Sequence, residues 1–152
     1  MEIYTEALLD AHTYYLQKDY KKALSIYDEV VRKVADPSVE ILKEYALCLQ
    51  KVMRYEESIK LTEKMLKNEH IDTDMLLNMC ICWGKLGSYE KALDFYNRIL
   101  KIDKNYKIQI GYYAYLLGRN GEIEKSDYFY NLAMKYEPDN MWYVSHYAFF
   151  LQ

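Results

Sequence analysis

The chain has 152 residues, 51% of them apolar and 28% charged, with a formal net charge of −3. That balance is too hydrophobic for a disordered chain and gives no electrostatic basis for a nucleic-acid partner. Five glycines and two prolines are too few for the many tight turns of a sandwich or barrel, so all-β architectures are excluded and helices are the default.

The N-terminus carries acids where an export signal carries a basic region, and Asp10 breaks its apolar stretch, so no export signal is read. A helix around Ala11 and Tyr14 comes first, and a second runs from Tyr20 to Lys33 before Pro37. Leu42, Tyr45, Ala46 and Leu49 then fall at i, i+3, i+4 and i+7, the spacing of one helix face. Leu76, Met79, Cys80 and Trp83 repeat that spacing, as do Ile110, Tyr113, Ala114 and Leu117. Helices from Tyr55 to Lys67, Tyr89 to Lys101 and Ile123 to Tyr136 alternate with these, punctuated by Lys104-Asn105 and Pro138-Asp139-Asn140. The longest mostly apolar run, Ile108 to Gly118, falls well short of the roughly 20 residues that span a bilayer, so no membrane insertion is expected.

The chain repeats itself. Ala23, Ser58, Ala92 and Ser126 are 35, 34 and 34 residues apart, and twelve residues before each stands Ala11, Ala46, Cys80 or Ala114, a series that continues to Ala148. Small residues at both places allow two antiparallel helices joined by a short turn to approach closely. With the turn residues Gly87 and Gly121, the aromatic Tyr20, Tyr55 and Tyr89 after the turn, Tyr27, Tyr96 and Tyr130 in the second helix, and Pro138, the pattern resembles the tetratricopeptide repeat (TPR). It gives repeats at about 4–37, 39–72, 73–106 and 107–140 and a partial fifth at 141–152, in one domain. Lys18 and Met53 stand where the turn glycine belongs, and Thr62 replaces the second-helix aromatic with no reason visible in the sequence. Gly84 and Gly118 are read as part of the same turns.

The resemblance implies an all-α, right-handed superhelical solenoid whose first helices line a concave groove for a peptide or partner helix. By register that groove takes Leu9, His12, Tyr15, Lys43, Leu47, Leu77, Asn78, Ile81, Lys85, Tyr112, Tyr115, Arg119 and Phe149, apolar and aromatic with cations near the rim. The two-cation clamp of chaperone-tail adaptors is absent: Lys43 and Asn78 match two of its five places, whereas Leu47, Ile108 and Tyr112 fill the others. The expected partner segment is hydrophobic and carries an aromatic or acidic residue, and the Tyr112 and Tyr115 rings are expected to bind it with little role in stability.

The chain end supports a second reading. Tyr143, Val144, Tyr147, Phe149, Phe150 and Leu151 make an apolar surface with no polar cap, expected either to continue into a longer protein or to pair with a second copy as a homodimer. A secretion-substrate chaperone is a third reading, lowered because no amphipathic helix precedes the first repeat. Cys48, Cys80 and Cys82 read as reduced, packed thiols of a cytoplasmic protein. No histidine has a ligand partner at metal spacing, Gly84-Lys85-Leu86-Gly87-Ser88 forms no phosphate loop, and no catalytic constellation is found. A non-enzymatic module with no cofactor and no metal is expected.

Overall fold

The computed structural model describes residues 2–67, 71–140 and 142, and these are helical with no strand among them. In chain order the helices are α1 (Glu2–Leu16), α2 (Tyr20–Val30) with a 3-10 turn at Val31–Lys33, α3 (Val39–Lys51), α4 (Tyr55–Leu66), α5 (Thr73–Lys85), α6 (Tyr89–Ile102), α7 (Ile110–Arg119) and α8 (Ile123–Tyr136). Several begin on side-chain caps: Asp19 Oδ1 accepts from the Lys22 amide, Ser38 Oγ from the Ile41 amide and Asp72 Oδ1 from the Met75 amide. The helices fall where the 34-residue period places them, in an all-α arrangement of helix pairs.

Each pair is closed by the same turn. The amides of Asp19, Arg54, Ser88 and Glu122 reach back five residues to the carbonyls of Tyr14, Leu49, Trp83 and Leu117, and the preceding amides reach back three. This is the Schellman ending, which requires a left-handed residue at its centre. Lys18, Met53, Gly87 and Gly121 occupy that place with φ of 61°, 67°, 85° and 85°. Lys18 and Met53 therefore hold a glycine conformation at a cost of about 1 kcal/mol each. Gly84 and Gly118 correct the sequence reading, since both lie within helices and are buried.

Packing divides the chain into two compact units, Met1–Cys82 and Trp83–Gln152. In the first, Ala11, Ala23, Leu24, Tyr27, Cys48 and Leu49 form the core under α1, α2 and α3, and Ala46, Met65 and Met75 continue it. In the second, α7 lies on α8, with Ile110 and Ala133 buried against Phe129 and Leu132. All eight small repeat residues among those described, Ala11, Ala23, Ala46, Ser58, Cys80, Ala92, Ala114 and Ser126, are at most 3% exposed; Ala148 lies outside the described residues. Serine is tolerated there because its hydroxyl has an acceptor. Ser58 Oγ donates to the Ala46 carbonyl at 2.7 Å, and Ser126 Oγ donates to the Ala114 carbonyl at the same distance.

Successive repeats are joined by tyrosine pairs or by a polar cluster. Tyr27 stacks on Tyr45, whose hydroxyl donates to Asp28. Two repeats later, Tyr96 stacks on Tyr113, and Tyr113 donates to Asn97. Between them the equivalent places hold Thr62 and Met79, and the neighbouring Asn78 takes over. Asn78 Nδ2 donates to Ser58 Oγ and Thr62 Oγ1, each at 2.9 Å, and its Oδ1 accepts from Gln50 Nε2 at 2.9 Å. Thr62 in turn donates to the Ser58 carbonyl, and the Cys82 thiol approaches Asn78 Oδ1 at 3.7 Å. Thr62 is thus small and polar because Asn78 enters the space an aromatic ring would fill.

Candidate functional site

The first-helix side of the first unit is built on α1, α3 and the beginning of α5. Leu9 is 61% exposed, and Leu47, Leu77 and Ile81 are half-buried. Polar links tie these helices together. His12 Nδ1 and Glu44 Oε1 are hydrogen-bonded at 2.6 Å, and the Tyr27 hydroxyl donates to the other Glu44 oxygen. Tyr15 lies beside the His12 ring, 6.3 Å between centroids, and burial followed by the Glu44 charge raises its pKa. Lys43 Nζ bonds Asp72 at 2.7 Å and reaches Asp74 at 3.5 Å; the Asp72 hydrogen bond raises the ammonium pKa against the effect of burial. Asp72 therefore caps α5 and anchors α3 at once.

These contacts correct several expectations. Asn78, read as a groove residue, is 7% exposed and has its amide occupied inside the polar cluster. Lys43 is neutralised by two aspartates rather than presented as a bare rim cation, and His12 has a carboxylate partner 32 residues away that no local spacing reveals. The thiols are free and buried. Desolvation pushes Cys48 up to about 12 and Cys82 up to about 11, and raises Cys80 as well.

The first-helix side of the second unit is aromatic. Tyr112, expected to be accessible, is only 6% exposed because its ring lies over Gly84. A methyl group on Gly84 would overlap the Tyr112 hydroxyl and come within 2.9 Å of Leu116 Cδ2. Tyr112 is therefore a packing residue, and its ring stacks on that of its neighbour Tyr115, at 5.8 Å and 22°. Tyr115, half-buried, meets the edge of Trp142 at 6.1 Å, and Trp142 is 38% exposed. Burial, then the Tyr89 hydroxyl, raises the pKa of Tyr115. Lys85 Nζ stands 5.6 Å from the Tyr112 ring, and the Arg119 guanidinium stands 5.2 Å from the Tyr89 ring. The Tyr89–Arg119 pair has a counterpart in the first unit, where Lys51 lies 5.8 Å from the Tyr20 ring.

Phe149 and the self-association residues Tyr143, Val144, Tyr147, Phe149, Phe150 and Leu151 lie outside the described residues. Among the described residues there is no group of three metal-ligating side chains, and no helix is long and apolar enough to cross a membrane.

Solved structures share the fold. A tetratricopeptide repeat protein from Parabacteroides merdae aligns over 99% of this chain and 59% of its own, with a TM-score of 0.74 at 16% identity. YrrB, described as a TPR protein with an unusual peptide-binding site, aligns over 89% of this chain and 69% of its own, with a TM-score of 0.73 at 15% identity. MamA from Desulfovibrio magneticus aligns over 88% and 75%, with a TM-score of 0.74 at 13% identity. The chain thus spans less than two thirds of the first of these. No curated protein sequence matches it. The profile of the family described as Psidin, N-terminal TPR repeats region, matches residues 14–115, more than half of the chain. The chain belongs to this tetratricopeptide-repeat family.

Proposed function

We propose that the protein is a non-catalytic interaction module that binds a segment of a partner protein on its first-helix side. The observation carrying this reading is the platform of Tyr115 and Trp142, two partly exposed rings bordered by Lys85 and Arg119. Aromatic residues and arginine are the side chains that most often dominate binding energy at protein interfaces. Tyr112, packed over Gly84 and stacked on Tyr115, supports the platform. The likeness to YrrB supports the reading only as an analogy of fold. Three buried thiols with no disulfide suit the cytoplasm.

The test starts with co-purification from the native source and mass spectrometry, followed by calorimetry of the identified partner against Tyr115→Ala. Affinity should fall about tenfold or more while the melting temperature moves little, since Tyr115 is half-buried. Equal affinity for both proteins would remove the platform from the binding site.

A further inference from the structure

Lys85 and Arg119 hold the same place in successive repeats, 34 residues apart, in the last turns of α5 and α7. The negative end of a helix favours a cation there but does not neutralise it. Neither side chain has a carboxylate partner among the described residues. Lys43, Arg54 and Lys125, by contrast, all end on carboxylates. Lys85 and Arg119 end on tyrosine rings, and a continuous series connects them. Lys85 lies over Tyr112, Tyr112 stacks on Tyr115, Tyr115 interacts with Tyr89, and Arg119 lies over Tyr89. A cation held on an aromatic face remains available to an anion, because the ring offers a quadrupole and no opposite charge.

Building on the reading of a partner-segment module, we propose that this platform selects an acidic segment. Asp or Glu carboxylates of the partner would be met by the Arg119 fork and the Lys85 ammonium, with an apolar or aromatic side chain between them on Tyr115 and Trp142. Charge complementarity carries the choice of partner: two cations with no carboxylate partner among the described residues stand on rings of the platform. Arginine adds directional selectivity, since its planar donors match a carboxylate in a way that a lysine ammonium does not.

A random peptide display library panned on the full chain tests this. The expected result is enrichment of sequences that combine Asp or Glu with an aromatic or large aliphatic residue. As labelled synthetic peptides these should bind the K85E/R119E protein about tenfold more weakly or worse. The K85Q/R119Q protein should fall between, and reversal of two exposed lysines of α4, Lys60→Glu and Lys64→Glu, should leave affinity unchanged. Circular dichroism and melting of each variant report its folding. Enriched neutral or basic sequences, acidic peptides indifferent to K85E/R119E, or equal weakening by the α4 reversal would overturn the acidic preference while leaving a peptide-binding module standing. Enrichment of no sequence at all would overturn both.

Discussion

The junction built on Tyr27 and Tyr45 and the junction built on Asn78 and Thr62 do the same job with opposite chemistry. In the first, two rings at 5.9 Å bury a large apolar area and send their hydroxyls outward to Glu44 and Asp28. In the second, an amide sits where the rings would be and finds partners from Gln50, Ser58 and Thr62. The Tyr96–Tyr113 junction repeats the aromatic solution more tightly, at 4.4 Å and 12°, with Tyr96 donating to the Ile108 carbonyl. An aromatic pair tolerates small shifts, because dispersion and hydrophobic burial have little direction. An amide cluster does not, because each unmade bond strands a buried polar atom.

The largest break in this comparison should come from Tyr96→Ala. Tyr96 is fully buried and in contact with Tyr106 and Tyr113, so thermal or urea unfolding should show a loss of about 4 kcal/mol, with Tyr27→Ala somewhat below it. Asn78→Ala should cost about 2–3 kcal/mol despite removing few atoms, because Gln50, Ser58 and Thr62 lose a partner in a buried site. A cost under about 0.5 kcal/mol would mean that the cluster is not acting as described.

The turns allow a sharper test, with gains as well as losses. Met53→Gly, at a side chain 73% exposed, should raise stability by about 1 kcal/mol, and Lys18→Gly should act in the same direction. Gly121→Ala should lower it by a similar amount, although a methyl group there meets no neighbouring atom, so the whole effect is backbone strain.

The smallest effect concerns acid. Burial disfavours ionisation of Asp28, but hydrogen bonds from Arg54 and Tyr45 outweigh it and hold the carboxyl below its ordinary pKa. A depressed carboxyl stabilises the fold above its unfolded pKa of about 3.9, and that contribution disappears as pH falls through the lower folded value. Asn97 is the neutral counterpart of Asp28 in the second unit. Denaturation profiles between pH 6 and acid, on the order of pH 2, should therefore be flatter for Asp28→Asn than for the parent chain.

The fold was readable because close helix crossing constrains residue size at single positions. Ala11, Ala46 and their counterparts had to be small whatever surrounded them, and that requirement survives in a linear sequence. The site was readable only as a list of positions by register. Register puts Tyr112 and Asn78 on the first-helix side, but burial depends on what stands opposite, and Gly84 under Tyr112 decides the matter in three dimensions. The partner of His12, Glu44, lies 32 residues away and is invisible to any search for local spacing. Thr62 had no explanation until Asn78 was seen beside it. One signal was available and missed: Gln50, Asn78 and Thr62 are uncharged polar residues within apolar helical patterns, which marks them for mutual satisfaction.

The bonds from Ser58 to Ala46 and from Ser126 to Ala114 each join residues twelve apart along the chain. Such a crossing forms by closing a loop of about ten residues, an event of about 10–100 ns, without searching distant sequence. Helix pairs should therefore assemble early and everywhere at once in a refolding chain. The folding rate should then belong to the slower joining of pairs through Tyr27 with Tyr45, Asn78 with Thr62, and Tyr96 with Tyr113, so the junctions between successive repeats also set how quickly the native state is reached.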